Sequence, residues 1–506
     1  MNERNPFEPY IKEKNEDKIE DTNSFLLNEE MFVDDSFSNF TQMQGKEEVR
    51  EQINSYVEMP TIRQEENEVD IIEVPEQKKE KRRGANFIIV SLLFLPSVLV
   101  LILIGIHSNT LISKSLLYIL YGVLTILILM LIAGLVLHAN KKNRIPAKGK
   151  VFKVLFSIFM FFYIVGCGSF SFIMYGPNKR FRNWLIPTAM TTMTHRYFAT
   201  WFYDTETIES VLDQNTIIES GEDTDLNLIS VGNLDFDATT YANEYEKEIL
   251  TKDKGNDIYK VIDIEGSGYK GHMVVVYDPS RVKVATTKYL NVKGQYVTDM
   301  AADNKALVAI NGGGFIDPNY SSNGGTPQGI VIQNGKVVSD RPYSKAGGLI
   351  GLTKDNKLIL GKMTSKEALA KGVRDAVTFG PFLIVNGQKS FIKGNGGWGT
   401  APRTAIGQRK DGIILLLVID GRRLKYPGAD MVDLTEIMER YGAYNAANLD
   451  GGTSSVMVFP EAKAKQFLTT KELQSHCTNS YCYINDPIDG GGSHETRWVA
   501  SSIIVK

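Results

Sequence analysis

Four short segments in the C-terminal half of the chain set glycine and polar residues at the end of an apolar run. Asn311-Gly312-Gly313-Gly314-Phe315 follows ALVAI, and three successive glycines let a backbone approach a ligand closely. Arg403-Thr404-Ala405-Ile406-Gly407 puts an arginine ahead of an apolar strand, where a guanidinium can grip a phosphate or carboxylate through two parallel hydrogen bonds. Asp420-Gly421-Arg422 closes GIILLLVID, so a carboxylate stands at the mouth of a buried strand. Asn448-Leu449-Asp450-Gly451-Gly452-Thr453-Ser454-Ser455 repeats that arrangement, and its small residues offer amides and hydroxyls to an anion. Taken singly, each segment also serves as a plain turn, a surface ion pair or a cap.

Metal chemistry finds less support. The histidines at 195, 272, 476 and 494 lack ligand-like spacing, which counts against a dinuclear centre. No cofactor and no metal site is required by the residues, and a need for a divalent cation stays open. Cys477 and Cys482, in HCTNSYC, close a short disulfide loop if the domain is exported, or stand as two free thiols. Cys167 lies within an apolar run and reads as a packing residue.

The elements that must position these groups are mostly strands. HMVVVYD at 272–278, ALVAIN at 306–311, GIVIQNGKVV at 329–338 and GIILLLVID at 412–420 are short β-type runs between glycine turns. Asn334-Gly335 between two apolar runs predicts a tight hairpin. Helical periodicity is clearest at 431–441, where Leu434, Ile437, Met438 and Tyr441 share a face. The expected fold is α+β, a sheet-rich domain of mixed or antiparallel strands with few helices, over residues 241–506.

Before it the composition changes twice. Residues 1–77 hold 21 Asp and Glu against 7 Lys and Arg, too polar to bury a core, so 1–84 is expected to be a disordered acidic tail. Phe87–Ile106, Leu116–Leu137 and Val154–Tyr175 are each long and apolar enough to cross a bilayer, which makes 85–177 a three-helix anchor. Lysines and arginines cluster at 78–83 and again between the second and third runs, whereas only Lys114 lies between the first two. The positive-inside rule then puts the tail in the cytoplasm and the C-terminal domain outside. Residues 178–240 read as stem and linker, with Tyr197, Phe198, Trp201, Phe202 and Tyr203 as an interfacial belt or as the packing face of the stem.

In order and wording, the Asn311–Phe315 turn, FGPFLIVNG at 379–387, RTAIG at 403–407, the helix running into LDGG, and Arg497 before WVASSIIVK resemble the phosphodiester glycosidase family. The resemblance covers roughly residues 245–506. Gly314 stands where the family often has an aromatic residue, and Thr453 where it often has a third glycine.

The resemblance implies hydrolysis of a sugar 1-phosphodiester at the anomeric carbon. That reaction needs a stabilised oxocarbenium-like sugar, activated water and a cation facing the departing phosphate. On this reading Arg403 holds the phosphate and Asp420 and Asp450 form the carboxylate pair, with Glu436 as an alternative carboxylate. Asn311, Gly312, Gly313, Thr404, Gly451, Gly452, Ser454 and Arg497 would contact substrate. The expected partners are a carbohydrate phosphodiester of envelope or exopolysaccharide polymer and the membrane, with no nucleic acid. The rival readings are a metal-dependent phosphodiesterase cutting the P–O bond and a non-catalytic polysaccharide-binding envelope protein.

Overall fold

The computed structural model describes residues 84–108, 110–139, 150–192, 195–232, 240–317, 322–487 and 496–506. The acidic tail, the basic run at 78–83 and the lysines and arginine at 141–148 lie outside the described residues.

Three long apolar stretches form helices α1 (Ala85–His107), α2 (Lys114–Ala139) and α3 (Lys150–Tyr175). Each is long and apolar enough to span a membrane. Val98 and Ile102 of α1 pack with Leu127 of α2, while many of the other large side chains, Ile119, Phe161 and Phe162 among them, stay exposed, as suits a lipid surround. Helix α4 (Arg180–Met190) follows α3 directly.

The stem does not trail loose from the last span. Ile186 and Ala189 of α4 pack with Met174 of α3 and with Ala199, Tyr203, Ile208 and Val211 in one apolar cluster. The Tyr203 hydroxyl donates to the Met174 carbonyl at 2.9 Å. The Ser108 hydroxyl, just past α1, donates to the Thr200 carbonyl at 2.7 Å. The aromatic group is thus divided: Tyr203 is buried, while Phe198 and Trp201 remain exposed. Farther on, Thr216–Ile218 pairs antiparallel with Phe391–Lys393, and the Ser230 amide donates to the Lys410 carbonyl at 2.8 Å. The segment read from sequence as linker is therefore bonded onto the C-terminal domain.

That domain is built of antiparallel sheets, one of the two arrangements expected of its short apolar runs. The largest has seven strands, with Arg403–Arg409 between Ile414–Ile419 and Ala443–Leu449. A six-stranded sheet carries Val308–Asn311 between Met457–Pro460 and Ser501–Val505. A five-stranded sheet contains the Asn334-Gly335 hairpin, whose two turn residues have φ of 50° and 72°. The main core joins inner-face residues of all three sheets, among them Val274, Leu416, Ile310, Ile503, Ile350 and Leu360.

The helix Met431–Arg440 covers the outer face of the seven-stranded sheet. Asp430 caps it by accepting from the Val432 and Asp433 amides. Its expected apolar face is the buried one: Leu434, Ile437 and Met438 have no exposed surface. Each such side chain contributes about 1.5–3 kcal/mol.

Candidate active site

Strand register decides which groups meet. Arg403 lies opposite Ile419, and Thr404 opposite Leu449. Asp420 and Asp450 therefore leave the sheet at one edge, on either side of Pro402 and Arg403, with backbones two strand spacings or about 10 Å apart. Three charged residues scattered through the sequence reach the same end of the sheet.

Their side chains then part. Arg403 alternates with Thr404, so it turns toward the helix-covered face. There its Nε donates to the Ala429 carbonyl at 3.1 Å, and its Nη2 donates to the Trp398 and Gly399 carbonyls, each at 2.6 Å. Burial lowers its pKa to about 10, with Asp430 opposing that shift and Arg422 adding to it. The guanidinium expected to hold a phosphate is thus largely occupied in tying the loop 394–402 to the sheet.

Asp420 turns the other way, into the space between sheets. One of its carboxylate oxygens accepts from Asn485 Nδ2 at 3.0 Å and from the Asp486 amide at 2.8 Å. Burial raises its pKa against those two bonds. Asn485 also donates to the Ser455 carbonyl, at 3.1 Å, and accepts from the Met457 amide, at 2.9 Å. Asp420 in this way braces the turn that follows Asp450.

Asp450 keeps part of its surface exposed. Burial pushes its carboxyl up to about 6, against the downward pull of the Ser454 hydroxyl, Arg497, the Gly451 amide and Lys345. The Ser454 amide donates to the Gly451 carbonyl at 3.2 Å, closing a 3-10 turn over Gly452–Ser454. Gly452 has φ of 62°, and a Cβ there would stand 3.1 Å from Arg422 Nη2, so glycine is needed twice over. Thr453, by contrast, is outside the left-handed region and accepts a long 3.5 Å contact from Arg497 Nη1. The β-branched departure at 453 is accommodated without strain.

The Asn311 turn buttresses this site from behind. The Asn311 side chain donates to the Asp450 carbonyl and accepts from the Thr404 hydroxyl at 2.8 Å and the Val456 amide at 3.2 Å. The Gly312 amide goes to the Ser501 carbonyl, Gly313 to the Ser501 hydroxyl and Gly314 to the Thr378 carbonyl. These amides, expected to orient a sugar or phosphate, are donated within the protein. Gly314 makes room for Phe379, whose ring carbons would lie 2.9 Å from an added Cβ. Glu436 is exposed on the helix Met431–Arg440, and the groups that feel its charge are Tyr269, Asp430 and Asp433. It does not join Asp450.

Arg497 was expected from the sequence, whereas Asp317, Lys345, Tyr343 and Glu219 were not singled out there. Arg497 donates to Asp317 at 2.8 Å and lies over the Phe315 ring at 4.6 Å. Asp317 is two residues past the glycine turn, a spacing that offered a clue. Tyr343, whose pKa is raised by burial and by the charges of Glu219 and Asp450, donates to the Ala346 carbonyl at 3.0 Å. Glu219, from the supposed linker, accepts from the Phe382 amide at 2.8 Å and pairs with Lys362 at 3.3 Å. Half-buried Phe379 and Trp398 stand 6.0 Å apart on the Arg403 side. Among the described residues no three His, Cys, Asp or Glu side chains gather as a metal site. Cys477 and Cys482 are joined by a disulfide across neighbouring strands.

A carboxyl on a half-buried residue, beside a hydroxyl and two cations, suits an anionic, sugar-like ligand. Residues 304–506, which include Asn311, Arg403, Asp420, Asp450 and Arg497, match the family model described as phosphodiester glycosidase. The uncharacterized SPbeta prophage-derived protein YomE of Bacillus subtilis (strain 168) is 28% identical over 189 residues, 35% of this chain and 28% of that protein. The N-acetylglucosamine-1-phosphodiester alpha-N-acetylglucosaminidase of Bos taurus is 27% identical over 183 residues, 32% of this chain and 33% of its own length. The chain thus spans a third or less of these two relatives. Among solved structures, the zebrafish catalytic domain of the same name, auto-inhibited by its pro-peptide, gives a TM-score of 0.38 at 20% identity, over 50% of this chain and 85% of that one.

Proposed function

Residues 304–506 being of phosphodiester glycosidase type, we propose that the domain hydrolyses sugar 1-phosphodiesters at the anomeric carbon, with Asp450 at the reacting centre. The observation that carries this reading is the setting of Asp450: a carboxyl on a half-buried residue, held by Ser454 and acted on by the charges of Arg497 and Lys345. A carboxyl with a pKa of about 6 exchanges a proton with water readily near neutral pH. The neighbouring cations favour the negative charge that builds on a departing phosphate.

In the proposed reaction water oxygen bonds to the anomeric carbon and the bond from that carbon to the phosphate oxygen breaks. The electron pair stays on the phosphate monoester, which is a good leaving group and needs little help from an acid. Asp450 assists the water and stabilises the positive sugar. Arg497, itself paired with Asp317, faces the phosphate. Arg403 and Asp420 act as positioning residues, the first through the loop 394–402 and the second through Asn485. Phe379 and Trp398 offer apolar rings to the sugar.

The protein is read as anchored by α1–α3 with its domain outside the cytoplasm, acting on envelope or exopolysaccharide material. The basic flanks and the Cys477–Cys482 disulfide support that placement. N-acetylglucosamine, named in the Bos taurus relative, is the first sugar to try. Turnover of its 1-phosphate methyl ester in oxygen-18 water tests the reading: label in the sugar supports it. Label in the phosphate assigns P–O cleavage instead and removes it.

A further inference from the structure

The stem ties the C-terminal domain to the end of the last span, and a groove lies where α3 and α4 meet. Where α4 turns away from α3, Phe172 and Ile173 of the span face Phe181 and Trp184 of α4 across about 430 Å³, with Asn178 and Arg180 also lining the groove. That volume is within the range of small-ligand sites. Its walls are mainly apolar.

One helix face leads from this groove to the site. Phe181, Trp184 and Thr188 are spaced three and four residues apart, so they line one side of α4. Thr188 is the contact: its hydroxyl accepts from the Thr400 amide at 3.2 Å, and a Cβ on Gly399 would lie 2.5 Å from Thr188 Cα. The Gly399 carbonyl is one of those gripped by Arg403, and Arg403 lies beside Gly451 in the adjoining strand end. From Arg180 to Thr188 the helix rises about 12 Å. The active-site edge therefore stands a short helix away from the bilayer.

This distance is not adjustable by a slack tether. Ile186 and Ala189 are packed against Met174 of the span, and Tyr203 is bonded to the same residue. A site meant for polymer far from the surface gains nothing from such a bracket. A site meant for a molecule standing in the membrane needs it. Exposed Phe181, Trp184, Phe198 and Trp201 suit head-group depth, and Lys179, Arg180 and Arg182 attract lipid phosphates.

We infer that the substrate is a lipid-linked sugar 1-phosphodiester, whose apolar alcohol lies in the α3–α4 groove while its sugar reaches Asp450. The inference rests on the glycosidase reading and adds the substrate class. Water bonds to the anomeric carbon, the carbon–oxygen bond to the phosphate breaks, and the products are a free reducing sugar and a lipid monophosphate carrying the electron pair.

The test uses the full chain in phosphatidylcholine–phosphatidylglycerol vesicles with two probes, the geranylgeranyl and the methyl esters of N-acetylglucosamine 1-phosphate. We expect kcat/KM to be about tenfold or more higher for the geranylgeranyl ester, as burial of its chain predicts. In Trp184→Ala and Trp184→Lys that ratio falls toward one, and Trp184→Phe restores it, with circular dichroism and thermal unfolding confirming the fold. Equal kcat/KM for both esters in the wild type, or a ratio unmoved by both Trp184 variants, overturns the lipid inference and leaves the glycosidase reading standing. Release of sugar from neither ester by the folded chain overturns both.

Discussion

The Asn311 side chain donates to the main-chain carbonyl of Asp450, 139 residues away in sequence. Because Asn311 ends a strand of the six-stranded sheet and Asp450 follows a strand of the seven-stranded one, this bond ties the two sheets together at the site. Asn311 is fully buried and also serves Thr404 and Val456. Asn311→Ala strands three buried polar groups at once, with an expected loss of about 3–5 kcal/mol. Urea unfolding measures it, and a midpoint equal to wild type removes the bracing role.

The Asp450 carboxyl has an unfolded value near 3.8 and a folded value of about 6. Between these the folded chain holds the extra proton, so raising the pH across that window costs stability, and the cost is complete above it. Asp450→Asn is neutral throughout and escapes that cost. Its melting temperature relative to wild type is expected to rise from pH 4 to pH 6 and then level off. Asp433, also raised to about 6, titrates in both proteins and cancels in the difference. Turnover by Asp450→Asn is expected to fall at least about a hundredfold, a general acid–base contribution. A flat stability difference, or full activity in the variant, contradicts this assignment.

The fold was legible where a pattern has a physical cause. Short apolar runs between glycine turns became strands, Asn334-Gly335 became a hairpin with both residues at positive φ, and Leu434, Ile437 and Met438 became the buried face of their helix. The meeting of Arg403, Asp420 and Asp450 at one sheet edge was also foreshadowed, since each lies at the end of an apolar run. What sequence did not carry is which way each side chain turns from that edge. Alternation sends Arg403 to one face and Thr404 to the other, so a single register step decides whether a guanidinium meets a ligand or the carbonyls of Trp398 and Gly399. Lys345, Tyr343 and Glu219 were hidden for another reason: they come from loops, and only the fold brings the Lys345 charge to bear on Asp450 and the Glu219 and Asp450 charges to bear on Tyr343.

Arg403 separates bracing from substrate contact. Arg403→Lys keeps the charge, but one ammonium nitrogen cannot stand where both Nε and Nη2 stand to reach Ala429, Trp398 and Gly399. The loop 394–402 is expected to lose hydrogen-exchange protection, with stability down by about 2–4 kcal/mol. The accompanying fall in turnover should lie mainly in kcat. If stability and exchange stay unchanged while KM for the phosphodiester rises sharply, Arg403 contacts the phosphate directly.

The side of the membrane on which the domain works has two independent readouts. Leu424 is fully exposed in the loop after Asp420, so Leu424→Cys places a thiol on the domain surface. A membrane-impermeant maleimide should label it in intact cells, as the positive-inside rule predicts from the basic clusters. The wild-type chain, denatured without reductant, should then show one reactive thiol, Cys167, and all three after reduction, since Cys477 and Cys482 are joined. An oxidising compartment preserves that bond, and the cytoplasm does not. Labelling only after permeabilisation, together with three thiols before reduction, would reverse the orientation and place the sugar–phosphate site on the cytoplasmic face.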